Sequence, residues 1–260
     1  MSTVLITGAS SGIGFEFAKL FARDHDHVIM VSQDADRLGK AAEIIAQTYH
    51  TTPTVIVADL SQEHSAIALY QKIASYNLTV DILVNNAGFG DFSLFHESQW
   101  EKINAMMHLN MVTLTHLAHL FLPQMIARKH GSILNVASTA AFRPGPLMSV
   151  YYATKAFVLL FSEGIAEEVR GTGVSVTTLC PGATTTGFQA ASHLEHSALI
   201  AGRQLAHPAD VAAYGYWALR NKKGTVIHGV SNKFLIFLTR LLPRRLSARI
   251  IRFMQRVVQR

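Results

Sequence analysis

The 260-residue chain predicts a doubly wound α/β fold: a mainly parallel, seven-stranded sheet with helices on both faces. Three observations predict it. Short apolar runs alternate with longer stretches of helical periodicity over the whole length, as repeated strand–helix–strand units require. Hydrophobic residues make up 49% of the chain, which suits a sheet buried on both faces. The first apolar run leads directly into a glycine-rich turn and then a helix, an order suited to holding a phosphate group.

Val4–Thr7 is the first expected strand. Gly8-Ala9-Ser10-Ser11-Gly12-Ile13-Gly14 follows as a tight turn, and Phe15 to Ala22 repeats apolar residues at helical spacing. Further strands are expected at Val28–Ser32, Thr54–Leu60, Asp81–Ala87, Ser132–Ser138, Ser175–Pro181 and Thr225–Gly229. Helical patterns fill the gaps at Arg37–Tyr49, Glu63–Tyr76, Gln99–Ala127, Tyr151–Arg170 and Pro208–Asn221. Right-handed crossovers then place a ligand at the carboxyl ends of the strands. Ser138 and Pro181-Gly182 end two of those strands, so both belong to that edge. Nothing reads as an internal repeat or linker, and this length supports one large domain. Residues 1–231 are expected to form it, with 232–260 as a helical extension.

Composition narrows the setting. One cysteine, Cys180, excludes an intramolecular disulfide framework and fits a reducing compartment. The first strand begins within a few residues of Met1, and no apolar run is long enough to span a bilayer, so a cytoplasmic protein is expected. The close histidine pairs His25/His27, His116/His119 and His193/His196 lack the further ligands that a metal needs, and no metal is expected.

Tyr151 and Lys155 form a Y-x-x-x-K pair, which points both side chains to one helix face. Tyrosine is a poor acid–base catalyst at neutral pH, with a reference pKa of about 10. A nearby ammonium favours the phenolate and should lower that value. Ser138, thirteen residues before the tyrosine, offers a hydroxyl to a carbonyl oxygen. Together they can move a proton at a carbonyl or alcohol oxygen. Tyr152 does not compete, because position 156 is Ala156.

Thr7-Gly8-x-x-x-Gly12-x-Gly14, Asn85-Asn86-Ala87-Gly88, Ser138, Tyr151-x-x-x-Lys155 and Pro181-Gly182 occur in this order. The combination closely resembles the short-chain dehydrogenase/reductase family, over roughly residues 3 to 230. The resemblance implies a Rossmann-type NAD(P)-binding catalytic domain. It implies hydride transfer between nicotinamide C4 and a carbonyl or alcohol carbon. Tyr151 would then be the proton donor or acceptor, Lys155 would hold the nicotinamide ribose, and Ser138 would bond the reacting oxygen. Asn110 matches the helix asparagine that positions a proton-relay water. Gly8, Ser10, Ser11, Gly12, Ile13 and Gly14 match the phosphate cradle. Asp59 and Leu60 match the pair beside the adenine, and Asn86, Ala87 and Gly88 the stretch under the adenosine ribose. Asn85 is expected to brace the sheet. Pro181, Gly182, Thr184 and Thr186 match positions near the carboxamide, although Thr184 stands where many members carry valine or isoleucine. A homodimer or homotetramer is also implied.

The second strand ends Val31-Ser32-Gln33-Asp34. The position that aligns with the ribose-binding acid of NAD enzymes is Ser32, which leaves room for a 2′-phosphate. NADP is therefore favoured over NAD, with Gln33 and Arg37 beside it and Lys40 as a further cation. A shift of one or two residues would instead give the acidic role to Asp34 and make the cofactor NAD.

Gly187 to His207, with Phe188, His193, Leu194, His196, Leu199 and Ile200, falls where the family places a substrate lid. Phe89 to Phe92 and Phe142 to Met148 are expected to supply other walls. Their apolar side chains favour an apolar ketone or alcohol, such as a fatty-acyl, steroid-like or aromatic compound. Arg143 reads either as an exposed loop residue or as a contact for an anionic group. A catalytically weak cofactor-binding regulator or scaffold on the same fold is the competing function.

The tail is unusual. Of 23 basic residues, eight lie from Lys233 onward, where there is no acidic residue; the preceding chain holds 15 against 17 acidic. Leu242, Leu246, Ile250, Phe253 and Val257 form one stripe, and Arg245, Arg249, Arg252, Arg256 and Arg260 another. One basic amphipathic helix, preceded by the apolar run Phe234–Leu238, is expected. It would lie on an anionic membrane surface or pack on the protein. No nucleic-acid-binding motif accompanies the charge, so no nucleic acid is expected.

Overall fold

Residues 1–192, 194, 197–198 and 205–255 are described by the structure, a computed structural model. Seven strands form one sheet: β1 (Thr3–Thr7), β2 (His27–Ser32), β3 (Thr54–Val57), β4 (Ile82–Asn85), β5 (Gly131–Val136), β6 (Val174–Cys180) and β7 (Thr225–Ile227). Their order is β3-β2-β1-β4-β5-β6-β7. Every pairing is parallel. The order reverses between β1 and β4, and a ligand crevice opens at such a point, outside the carboxyl ends of the strands.

The helices are α1 (Gly12–Arg23), α2 (Ala35–Tyr49), α3 (Ser65–Ser75), α4 (Trp100–Met107), α5 (Leu114–Ala127), α6 (Ser149–Glu168), α7 (Phe188–Ala191), α8 (Pro208–Arg220), α9 (Val230–Leu241) and α10 (Arg244–Met254). Strand side chains alternate between two cores. Val4, Ile6, Val28 and Met30 pack with Phe17 and Phe21 of α1 and Val211 of α8. Leu5, Ile29 and Val31 pack with Leu69 and Ile73 of α3 and Leu117 and Phe121 of α5. This two-residue period explains why the strands read as continuous apolar runs. Truncating a ring such as Phe21, fully buried, to alanine costs about 3–5 kcal/mol.

Several strands stop short of their expected ends. Thr54–Leu60 ends at Val57, Asp81–Ala87 at Asn85, and Ser132–Ser138 at Val136. The residues beyond leave the ladder to make other bonds: Asp59 to Ser61, Asn86 to Thr7, and Ser138 to Ala140. The expected helix Gln99–Ala127 is interrupted by a wider π-type segment, His108–Thr113, between α4 and α5. Its apolar periodicity runs through the interruption, and no glycine or proline marks it. Pro123, which would suggest a break, lies inside α5.

The single tail helix is also corrected. Pro243 separates α9 from α10, because it has no N–H to continue the helix and its ring clashes with the preceding turn. Leu242 therefore caps α9 and does not join the stripe of α10. The tail turns Ile236, Ser247, Ile251 and Gln255 toward the protein, while Leu246 and Ile250 remain exposed. Arg256, Val257 and Arg260 lie outside the described residues. Among those described, no helix is long and apolar enough to cross a membrane.

Candidate active site

The glycine turn after β1 is built for close approach. A Cβ on Gly14 would lie 2.2 Å from the Gly8 carbonyl oxygen and 2.5 Å from Asn86 Nδ2, so α1 can pack here only without a side chain. Gly12 has φ +56°, a left-handed conformation that favours glycine. Asn86 clamps the turn, its Nδ2 donating to the carbonyls of Thr7 at 2.9 Å and Gly8 at 3.3 Å. Thr7 Oγ1 accepts from the backbone N–H groups of Asn86 and Ala87, both at 3.0 Å. Ser11, the N-cap of α1, makes no side-chain capping bond, and the first turn of α1 has no acidic residue. The amino end of α1 thus turns its N–H groups and positive dipole end to the crevice, where a pyrophosphate fits. A cavity of about 420 Å³ runs from this turn past Ser138 and Tyr151.

Gly8, Ser10, Ser11, Gly12 and Ile13 line that cavity, as do Gln33, Arg37, Asp59 and Leu60. Asn86, Ala87 and Gly88 line it near the sheet's switch point, and Pro181, Gly182, Thr184 and Thr186 beyond it. Gly14 and Asn110 do not line it; they act one layer behind. At the end of β2, Ser32 Oγ lies 2.9 Å from Ser10 Oγ. Asp34 does not line the cavity. It caps α2, accepting from Arg37 N at 2.9 Å, and pairs with Arg37 Nε at 3.2 Å. Partial burial would raise the pKa of Asp59, but hydrogen bonds from Ser61 and Gln62 override it and hold this carboxyl below its usual range.

Tyr151 and Lys155 share one face of α6, and Ser138 begins the turn after β5. All three line the cavity. Lys155 is buried and its Nζ donates to the Val136 carbonyl at 2.8 Å. Burial pulls its pKa down to about 8. Tyr151 departs from the sequence-based expectation. Burial raises its pKa above the ordinary value, a hydrogen bond with Ser138 opposes that, and Lys155 is not among the groups that shift it. The ammonium lies 5.9 Å from the ring centre, already bonded to Val136.

Asn110 sits in the π-type segment and is fully buried. Its Nδ2 donates to Phe89 O at 3.0 Å and Thr154 Oγ1 at 3.1 Å, and its Oδ1 accepts from Phe89 N at 3.2 Å. The carboxamide therefore ties the loop after β4 to α6. Asn85 and Asn135 bridge neighbouring strands at 2.9 Å. Cys180 is buried, and burial pushes its thiol up to about 12, which leaves it unreactive. Among the described residues, no three histidine, cysteine, aspartate or glutamate side chains converge.

Phe188 meets the Tyr151 ring at 5.2 Å between centroids, and Leu194 is buried beside Met148 and Tyr152. Ser192 ties this segment to the loop after β4, accepting from Gly90 N at 3.1 Å. Gln189 was not legible in the sequence; it orders the turn by accepting from Thr186 N at 3.1 Å and donating to the Thr184 carbonyl. His193, His196, Leu199 and Ile200 lie outside the described residues. Tyr152, Gln255 and Arg143 form a cluster behind Tyr151. Gln255 Nε2 donates to Tyr152 Oη at 2.7 Å, and the Arg143 guanidinium faces the same hydroxyl. Arg143 falls in a segment expected to supply a wall, but the part played by Gln255 was not expected, since it brings the tail against the first turn of α6.

The short chain dehydrogenase family model matches residues 2–196. The chain belongs to the short-chain dehydrogenase family. Membership makes it an oxidoreductase that interconverts CH–OH and C=O groups with a nicotinamide dinucleotide, on the Rossmann-type fold that the sequence implied. It is 36% identical over 200 residues to the uncharacterized oxidoreductase YvrD of Bacillus subtilis, covering 77% of this chain and 74% of that one. It is 32% identical over 188 residues to very-long-chain 3-oxoacyl-CoA reductase-B of Danio rerio, covering 70% of this chain. That match spans 59% of the fish protein's length. Among solved structures, a short-chain dehydrogenase from Sphingobium yanoikuyae in complex with NADPH superposes with a TM-score of 0.82 at 28% identity. The superposition covers 93% of this chain and 94% of that one. The short-chain dehydrogenase family match ends before α8, so α9 and α10 lie outside it.

Proposed function

We propose that the protein is an NADPH-dependent reductase of apolar carbonyl compounds. The observation that carries this reading is Tyr151, Ser138 and Lys155 lining one cavity with the phosphate cradle of α1. Ser11, Gly12 and Ile13 hold the pyrophosphate, and Ser32, Gln33 and Arg37 receive a 2′-phosphate, since Asp34 is committed to α2. Lys155 holds the nicotinamide ribose, and Thr184 and Thr186 flank the carboxamide. When bound, the reduced nicotinamide supplies hydride to the substrate carbon. Ser138 and Tyr151 hold the carbonyl oxygen, and Tyr151 donates the proton. Its raised pKa keeps the phenol protonated at neutral pH, as a donor requires. Asn110 is a positioning residue that fixes the loop beside Lys155. The zebrafish relative's 3-oxoacyl substrate and the walls Met148, Phe188 and Leu194 agree on an apolar compound. Replacement Tyr151→Phe tests the mechanism: NADPH affinity, read by fluorescence, should persist while ketone turnover falls by about 10²–10⁴-fold. Undiminished turnover would refute the proton-donor role.

A specific surface also favours peripheral contact with an anionic membrane. Val230, Phe234, Phe237, Leu238 and Leu241 recur at helical spacing along α9 and are exposed, as are Arg244, Arg245, Arg249 and Arg252 of α10. Apolar insertion flanked by arginine suits phosphatidylglycerol-rich bilayers. Phe234→Glu with Phe237→Glu should abolish co-sedimentation with such vesicles. Retention would refute membrane contact, and loss of a dimer instead would mark the stripe as a subunit interface. A homodimer or homotetramer remains our expectation, with Phe157 and Leu160 of α6 exposed for such contact.

A further inference from the structure

Arg143 is not the solvent-exposed loop residue that its sequence context allows. It lines the cavity that also holds Tyr151, Met148 and Phe188. Its Nε and Nη1 atoms are sealed from solvent and have no hydrogen-bond partner among the described residues. Arg143 as a whole is half-buried, but two buried, unsatisfied N–H-bearing nitrogens on a guanidinium are costly, and an incoming ligand can complete them. The position is fixed: the guanidinium hydrogen-bonds the Tyr152 hydroxyl, to which Gln255 Nε2 also donates at 2.7 Å, leaving Nε and Nη1 over.

No carboxylate of the described cavity lining accounts for this charge. Among the described lining residues the one carboxylate is Asp59, already held by Ser61 and Gln62. Asp59 follows β3, at the far edge of the sheet, whereas Arg143 follows β5. Four strand spacings separate those strands, about 19 Å. Arg143 instead belongs with Met148, Tyr152, Phe188 and Leu194, on the substrate side of Tyr151.

We propose that Arg143 is the anion-binding residue of the substrate pocket, and that the substrate is a ketone or secondary alcohol carrying a carboxylate on an apolar skeleton. This rests on the oxidoreductase reading of the same site. A carboxylate neutralises one guanidinium, whereas a phosphate dianion would leave excess charge among Met148, Phe188 and Leu194. The carbonyl lies at Tyr151, the skeleton along Phe188 and Met148, and the carboxylate at Arg143.

The test is a ladder of keto acids of increasing carbonyl-to-carboxylate separation, each beside its methyl ester, assayed with NADPH. At the matching length, kcat/KM should favour the acid by about 10-fold or more, the scale of a charged hydrogen bond. In Arg143→Met that preference should collapse toward unity, chiefly through KM, and Arg143→Lys should restore part of it. Equal acid and ester values at every length, or an equal loss for both in Arg143→Met, would overturn the proposal. Calorimetric binding of the same compounds to the NADP⁺-loaded protein gives the answer without turnover. Acid-selective binding lost in Arg143→Met would support the anion site even if no compound were reduced, and that failure would count against the oxidoreductase reading alone. Turnover of neutral ketones with no acid preference in rate or binding would sink only the anion site.

Discussion

Lys155 Nζ lies 5.9 Å from the centre of the Tyr151 ring while donating to the Val136 carbonyl at 2.8 Å. One ammonium thus joins the end of β5 to the proposed proton donor, and it does so in a buried setting that disfavours its own charge. Lys155 is not among the groups that shift the Tyr151 phenol, which burial holds above its ordinary value.

Stability should register that arrangement. The folded-state pKa of Lys155 is about 8 against an ordinary 10.5. Between those values the unfolded chain binds more protons at this residue, so its contribution to stability rises with pH, by at most about 1.4 kcal/mol per unit. Tyr151 acts oppositely above its ordinary value of 10.0, where the folded state retains a proton that the unfolded state releases. Chemical denaturation of the cofactor-free protein from pH 7 to 10, compared with Lys155→Met, should show the wild type gaining relative stability above about pH 8. A flat difference would mean that the lysine is not desolvated.

Cofactor choice should turn on Ser32. A carboxylate introduced by Ser32→Asp, beside Ser10 Oγ at 2.9 Å, would repel a 2′-phosphate and accept from a 2′-hydroxyl. NADPH affinity should fall by about 10-fold or more, with NADH affinity unchanged or improved. Fluorescence titration with both cofactors decides it, and a wild type that prefers NADH would return the ribose contact to Asp34.

Asn110→Leu should act at a distance from the cavity. It leaves the N–H and carbonyl of Phe89 without their partner, at a cost of about 1–3 kcal/mol. Thermal unfolding should register the loss, and kcat should fall while NADPH still binds, because Gly88 and Phe89 no longer hold their position against α6. An unchanged melting temperature would show that the loop is anchored elsewhere.

Gly14→Ala places a methyl 2.2 Å from the Gly8 carbonyl oxygen. Relief requires moving α1 away from the turn, so overpacking of about 1–3 kcal/mol and loss of cofactor binding should appear together. Retained binding would mean that α1 shifts freely.

The cradle and the Tyr151 site were legible because they lie on consecutive residues or one helical turn apart. Alternating strands fixed where Ser138 and Pro181 emerge. The segment Phe142 to Met148 was legible as a wall, but its junction with Gln255 was not, because Gln255 and Tyr152 are 103 residues apart and meet only through tertiary packing. The π-type segment around Asn110 was hidden by continuous apolar periodicity, and the break at Pro243 by an apolar stripe that starts at Leu242 and spans it. The lowered tyrosine pKa failed as an expectation because sequence spacing says nothing about desolvation.

The contact between Gln255 and Tyr152 makes the tail part of the architecture beside Tyr151. The glycine turn and Asn86 lie in the first third of the chain, within the family match over residues 2–196, while Gln255, the C-cap of α10, lies beyond that match. A change at position 255 would therefore be felt at Tyr152 without touching the turn that follows β1.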